Sequence, residues 1–379
     1  MTAAIVLTFL VSAGLAYANG ANDVSKAIAT LTGSGVTDYR RAILWGAVWT
    51  GVGCTLGAVF AQAMLTTFGN GLLSGGVAQT RPAALAALAG AAGWVVVATR
   101  AGLPVSTTHA IVASLIGVAV PAYGAGVVQW GALGSKIVLP LLLTPLLSLV
   151  LTSMVLRATR ARAGSGATTA DCLCAEVEAE LTVSHASGAA AAVSFGAPRP
   201  RLAITSGSAE ACAAERPVAL QVTLAGMHWL TSGATSLARG MQDAPKIVAL
   251  ALGASALGEQ AALSAPLFYG VVTVAMVAGS LIAGRRVTRV LAEDVTPMDD
   301  REGFTANLVT AALVTAGAVH GLPMSTTHIA SGAIFGAGAQ RGSLDRRSLR
   351  NILLAWIVTL PAANLLGAGC YALAAWLGG

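Results

Sequence analysis

Apolar residues in this chain run in blocks too long for the strands and amphipathic helices of a soluble core. They extend from Ala3 to Val36 (interrupted by polar residues), Ala42 to Leu65, Pro82 to Ala98, Val105 to Val120 and Ile137 to Leu156. After a polar stretch come Val218 to Leu252 (again interrupted), Ala261 to Gly284, Phe304 to Val319, Met324 to Ala339 and Ile352 to Leu377. A bilayer core needs roughly 20 helical residues, with a range of about 17–25, so most blocks reach or approach spanning length. The shorter ones begin or end at Gly-Leu-Pro and suit either full crossings or re-entrant hairpins. The pattern predicts an all-α polytopic membrane protein with five apolar segments on each side of a polar centre.

Composition agrees with the pattern. Hydrophobic residues make up 55% of the chain and charged residues 10%, with a mean hydropathy of +0.74. Soluble domains carry about a quarter charged residues and could not cover their surface with so few. The start, Met-Thr-Ala-Ala-Ile, has no basic region and leads to no clear cleavage site, so it reads as a first membrane segment rather than a removed leader.

A net charge of +6 does not point to nucleic acid, because the basic residues flank the apolar blocks instead of forming a patch. Let every block cross once, with Arg40 and Arg41 inside. Then Arg100, Arg157, Arg160, Arg162, Arg285, Arg286, Arg289, Arg301, Arg341, Arg346, Arg347 and Arg350 all fall inside. Only Arg81 and Lys136 fall outside. Both termini are then expected outside a cell (inner or plasma) membrane, and the linker in the cytoplasm. The expected division is a membrane repeat over 1–156, a linker over 157–217 and a second, inverted membrane repeat over 218–379. Three of the five cysteines, Cys172, Cys174 and Cys212, lie in the linker with His185. Together they offer a candidate metal site, but the spacing matches no standard zinc pattern and free thiols are the plainer reading.

Two motifs occur twice. Gly20-Ala-Asn-Asp-Val-Ser-Lys-Ala-Ile-Ala-Thr30 is answered by Gly240-Met-Gln-Asp-Ala-Pro-Lys-Ile-Val-Ala-Leu250. Gly102-Leu-Pro-Val-Ser-Thr-Thr-His109 is answered by Gly321-Leu-Pro-Met-Ser-Thr-Thr-His328. The aspartates are offset by 220 and the serines by 219, which points to duplication. An odd number of crossings per copy inserts the second upside down. Such repeats place a site at their interface near the midplane, built from broken helices.

Among 16 acidic residues, only Asp23 and Asp243 lie inside long apolar segments, each with a lysine three residues later, Lys26 and Lys246. A charge at a helix centre costs about 2.5–3.5 kcal/mol on insertion scales, so a functional role is the default. A structural ion pair at i,i+3 also accounts for each lysine, though less well for two matched sites. Ser106, Thr107 and Thr108, like Ser325, Thr326 and Thr327, follow a proline and precede an apolar run. They suit ordinary helix caps, and equally an oxyanion seat of hydroxyls and free N–H groups. Protonated phosphate can donate a hydrogen bond to a carboxylate and sulfate cannot, so aspartates beside the seat favour phosphate. The same carboxylates, with exposed carbonyls at helix breaks, suit Na⁺ or a carried proton. His109 and His328 fit a packing role or a proton relay.

At these residues the sequence resembles the inorganic phosphate transporter (PiT) family of symporters, whose signature is Gly-Ala-Asn-Asp-Val in each half with Gly-Leu-Pro-Val-Ser-Thr-Thr-His segments. The resemblance covers both halves and excludes the linker. It implies an all-helical inverted repeat carrying phosphate with Na⁺ or H⁺, and no enzyme cofactor; some relatives carry sulfate, the alternative substrate. The implied phosphate site is Asp23, Ser106, Thr107, Thr108, Asp243, Ser325, Thr326 and Thr327, and the implied coupling-ion ligands are Asn22, Asp23, Gln242 and Asp243. Gln242 stands where the pattern has Asn, and Met241 and Pro245 also depart from it. Self-association into a homo-oligomer is compatible with this reading. A membrane hydrolase using Ser106 and His109 lacks a third member beside them, and no P-loop supports an ATP-driven pump.

Overall fold

In lipid a backbone must satisfy its own polar groups, and the apolar blocks do so as helices. The computed structural model describes residues 3–74, 80–163, 172–180, 183–185, 193–195, 199–207, 220–255 and 265–378. In the first half these form α1 (Ala3–Asp23), α2 (Ser25–Gly33), α3 (Tyr39–Phe60), α4 (Gln62–Asn70), α5 (Arg81–Arg100), α6 (Thr107–Tyr123), α7 (Trp130–Leu133) and α8 (Leu139–Ala163). The second half has α9 (Leu224–Ser255), α10 (Ala265–Ala283), α11 (Arg285–Arg289), α12 (Asp300–Val319), α13 (Thr326–Arg341) and α14 (Arg346–Gly378). Among the described residues, seven helical stretches are long and apolar enough to cross a membrane, which makes this a multi-pass membrane protein. The stretch through α1 and α2, which carries the first motif, belongs to that set, whereas the other motif-bearing helices, α6, α9 and α13, fall outside it. α6 and α13 are short, with 17 and 16 residues, while α9 carries Arg239, Asp243 and Lys246 within its apolar run.

Each Gly-Leu-Pro segment joins two helices into a hairpin. Gly102 and Gly321 take left-handed backbone conformations, with φ of 75° and 66°, where a side chain would be strained. The open end of the first hairpin is closed by the Thr80 amide donating to the Tyr123 hydroxyl at 2.7 Å. At the second, Arg341 pairs with both Asp299 and Glu302 at 2.8 Å, and those two carboxylates also form the capping box that starts α12.

Glycines set how closely the helices cross. A Cβ on Gly20 would overlap the carbonyl oxygen of Met276, and one on Gly279 that of Tyr17, so α1 and α10 meet backbone to backbone. Gly53 and Gly240 fit the same way against Leu237 and the backbone around Thr50, locking α3 to α9. Gly20 and Gly240 open the two copies of the motif.

Two expectations about the interrupted blocks need correction. The interrupted first block does break, with α1 ending at Asp23 and α2 starting at Ser25, but α9 runs unbroken through Pro245. Its ring denies the Met241 carbonyl an intrahelical donor without ending the helix, which membrane helices tolerate when neighbours hold them. The second half's first block does not begin as helix, because Leu220–Thr223 is a strand and the helix starts at Leu224.

The linker region, Ala158–Met227, is a separate compact unit and is not all-α. Its described residues hold β1 (Cys172–Glu180), β2 (Val183–His185), β3 (Val193–Phe195), β4 (Arg199–Gly207) and β5 (Leu220–Thr223). β1 lies between β4 and β5 in an antiparallel sheet, and β2 pairs with β3. Cys172 and Cys174 share one face of β1, their sulfurs 3.6 Å apart. Cys174 is disulfide-bonded, in place of the free thiol expected there. Cys212 lies outside the described residues, among which no His, Cys, Asp and Glu cluster is placed to hold a metal.

Candidate functional site

The break between α1 and α2 leaves carbonyls that need donors in a water-poor interior. The carbonyl of Asn22 accepts from the Ser25 hydroxyl at 2.7 Å and from Lys26 Nζ at 2.8 Å. Lys26 Nζ also donates to Asn22 Oδ1 at 2.6 Å and to Asp23 Oδ1 at 2.7 Å. The i,i+3 spacing that puts Lys26 over Asp23 recurs on α9, where Lys246 Nζ reaches Asp243 Oδ1 at 2.9 Å. All four side chains are 3% exposed or less.

A third residue ties the two aspartates together. Asn19 stands one turn before Asp23 and donates through Nδ2 to Asp23 Oδ2 at 3.0 Å and to Asp243 Oδ2 at 3.1 Å. Its counterpart at the same offset of 220 is Arg239, fully buried, whose guanidinium contacts Asn19 Oδ1 at 3.5 Å and the Thr50 hydroxyl. Arg239 Nε has no partner among the described side chains. The sequence reading passed over both residues. Asking which polar residues sit one helical turn before each aspartate would have found them.

The hairpin tips close on this cluster. Asn22 Nδ2 donates to the Thr99 hydroxyl at 2.9 Å and to the Leu103 carbonyl at 3.0 Å, and the Val105 amide donates back to Asn22 Oδ1 at 3.2 Å. In the other half Gln242 Nε2 donates to the Leu322 carbonyl at 3.2 Å, the position matching Leu103. Its longer arm leaves Gln242 Oε1 without a partner, whereas Asn22 Oδ1 has two. From the helix starts, Thr107 donates to Asp23 Oδ2 at 3.2 Å, Thr108 accepts from Lys246 at 2.7 Å, and Thr327 donates to the Val105 carbonyl at 2.8 Å.

Ser106 and Ser325 cap α6 and α13, each hydroxyl oxygen accepting from the amide three residues on at 3.2 Å. The first turn of any helix has amides with no intrahelical partner, so Thr107, Thr108, Thr326 and Thr327 bring N–H groups as well as hydroxyls to the centre. All four are buried. The structure therefore joins both aspartates to Thr107 and Thr108 of the first start, ties Asn22 and Gln242 to the two hairpin tips, and links the second start to the first through Thr327, while Ser325 and Thr326 touch neither aspartate among the described contacts. Lys26, Lys246 and Arg239 oppose Asp23 and Asp243, leaving one formal positive charge in excess.

Behind the caps, the rings of His109 and His328 lie 4.6 Å apart, and His328 stacks on Trp356 at 3.8 Å. His328 Nδ1 is bonded to the Ser325 hydroxyl at 2.7 Å, while His109 Nδ1 has no partner among the described side chains. These rings face a cavity of about 870 Å³ walled mostly by apolar side chains from α6, the α7–α8 stretch, α13 and α14, with Asn364 as its one further polar residue. Its lining matches hydrocarbon rather than an ion path.

Comparison with known proteins adds the following. Residues 19–367 match the model of the phosphate transporter family. A putative phosphate permease of Pyrococcus horikoshii is 24% identical, over 96% of this chain and 95% of its own length. A probable low-affinity inorganic phosphate transporter of Mycobacterium tuberculosis is 27% identical over 96% of this chain and 76% of its own. The chloroplastic inorganic phosphate transporter 2-1 of Arabidopsis thaliana is 28% identical over 95% and 70%. A solved structure of "the sodium-dependent phosphate transporter" aligns with a TM-score of 0.75 and 20% identity, covering 98% of this chain and 99% of its own.

Proposed function

The chain belongs to the phosphate transporter family, a family of transporters rather than enzymes, and from that premise we propose that it carries inorganic phosphate by alternating access, driven by a Na⁺ or proton gradient. The observation that carries the reading is the contact of the first Ser-Thr-Thr start with both buried Asp–Lys pairs, with the second start held against the first through Thr327 and the Val105 carbonyl, under one excess positive charge. Helix N-termini and hydroxyls donate to an oxyanion from two sides. A carboxylate among those donors accepts the proton that phosphate retains at neutral pH and repels an anion without one. The phosphate ligands in this account are Asp23, Ser106, Thr107, Thr108, Asp243, Ser325, Thr326 and Thr327.

The two halves, 1–156 and 218–379, act as inverted copies that rock about this site. Supporting this, Gly20 packs across to the second half's α10 and Gly240 across to the first half's α3, an exchange that a pseudo-two-fold axis generates. Orientation follows the basic residues. Arg100 is bonded by Arg286, and Arg285 stacks over Tyr39, so these gather at one end, taken as cytoplasmic. Arg81 holds the Ala254 carbonyl at the other end of α5, about 30 Å away by helix rise. The structural neighbour described as sodium-dependent speaks for Na⁺ as driver; paired carboxylates suit protons equally.

Uptake of labelled phosphate into proteoliposomes, under imposed Na⁺ or proton gradients taken separately, tests this. The expected result is accumulation above the outside concentration under one gradient, with little competition from sulfate. Uptake that never exceeds equilibration, or that sulfate displaces as well as phosphate does, would refute it.

A further inference from the structure

The oxygens that a coupling cation would need at this site are already holding cations that belong to the chain. An ammonium group has three N–H donors, and both buried lysines have all three engaged. Lys26 Nζ is held by the Asn22 carbonyl at 2.8 Å, Asn22 Oδ1 at 2.6 Å and Asp23 Oδ1 at 2.7 Å. Lys246 Nζ is held by Asp243 Oδ1 at 2.9 Å, the Thr108 hydroxyl at 2.7 Å and the Met324 carbonyl at 3.5 Å. Each set is a carboxylate, a second side-chain oxygen and a backbone carbonyl around one positive charge, the ligand chemistry that suits an alkali cation at a broken helix.

The remaining carboxylate oxygens are engaged as well. Asp23 Oδ2 accepts from Asn19 and Thr107, and Asp243 Oδ2 accepts from Asn19. Among the amide oxygens assigned to the coupling ion, only Gln242 Oε1 is left without a partner. One oxygen does not make a cation site. Expelling an ammonium to admit Na⁺ would leave a buried charge unpaired for no net gain in charge.

We propose that Lys26 and Lys246 are built-in substitutes for the coupling cation, so that this protein binds and transports phosphate without Na⁺. This rests on the phosphate reading above and narrows its driver to the proton. A tethered ammonium supplies the charge that organises the aspartates, but it cannot be exchanged between the two sides as a dissolved Na⁺ is.

Phosphate binding to the purified full chain in detergent, measured in sodium chloride and in N-methylglucamine chloride of equal ionic strength, separates the outcomes. The dissociation constant is expected to be the same in both salts, and uptake in proteoliposomes to follow an inward proton gradient with no Na⁺ present. The Lys26→Asn, Lys246→Asn double variant, which keeps oxygen ligands and removes the ammoniums, is expected to bind phosphate about tenfold or more tighter in Na⁺ than without it. Wild-type binding that requires Na⁺ would overturn this inference and leave the phosphate reading standing. No phosphate binding in either salt would remove both. A double variant that folds and binds equally well in both salts would also overturn the substitution.

Discussion

Arg239 offers the sharpest test of how the site attracts an anion. It is fully buried, and its guanidinium contacts Asn19, whose amide in turn touches both aspartates at 3.0 and 3.1 Å. An anion seated beside the carboxylates would lie within the reach of that charge, two contacts away. At an effective dielectric of about 20, a unit charge at ~8 Å contributes about 2 kcal/mol. Arg239→Met should therefore weaken phosphate binding about 30-fold, while Arg239→Lys, which keeps the charge, should stay within about threefold of wild type. Titration calorimetry with phosphate on detergent-purified protein measures both, and thermal unfolding of the same samples identifies a variant that has lost its fold. If Arg239→Met unfolds at the wild-type temperature and binds phosphate within about threefold of wild type, the excess charge plays no part in recognition.

Other consequences follow from single contacts. Asp23→Asn and Asp243→Asn should each abolish phosphate uptake in proteoliposomes while the protein still inserts and elutes as a folded species; normal uptake by both refutes the assignment. Gly20→Ala forces a methyl against the Met276 carbonyl, and because backbone cannot yield as a side chain does, it should cost about 3 kcal/mol or more in unfolding free energy. An unfolding temperature equal to wild type would contradict that helix crossing. Arg341→Gln deprives Glu302, 1% exposed, of its cation. Breaking a buried pair costs about 3–5 kcal/mol, and the guanidinium's partial exposure lowers the expected loss to about 1–2 kcal/mol, readable as faster hydrogen exchange at the ends of α12 and α13.

Much of the candidate cluster is legible because charge in an apolar block is rare and because the motifs occur twice. Asp23, Asp243 and the Ser-Thr-Thr starts stand out on those grounds alone; Asn19, Thr107 and Thr108 link the first start to both Asp–Lys pairs, and Thr327 links the second start to the first. The residues that were not legible are those whose meaning lies in contacts between halves. Asn19 and Arg239 share an offset but not a chemistry, so similarity between the copies hides them; geometry pairs them because one neutral amide bridges two carboxylates beside one guanidinium. The polar interruption in the second half's first block breaks no helix there, since α9 runs on through Pro245. The strands of the linker were missed because short runs such as Leu220–Thr223 lack a period long enough to separate them from the apolar block that follows. His109 and His328 each suit the first turn of a capped helix, and only contacts between the halves, their own approach and the bond from Thr327 to the Val105 carbonyl, show that the helix starts meet.

The most direct test of the whole account is an experimental structure of the protein with phosphate bound, read against one without it. A tetrahedral anion between the starts of α6 and α13, within hydrogen-bond reach of Thr107, Thr108, Thr326 or Thr327 and beside Asp23 or Asp243, is the predicted result. Phosphate bound elsewhere, with the two helix starts closed on each other and their amides contacting no ligand, would contradict it.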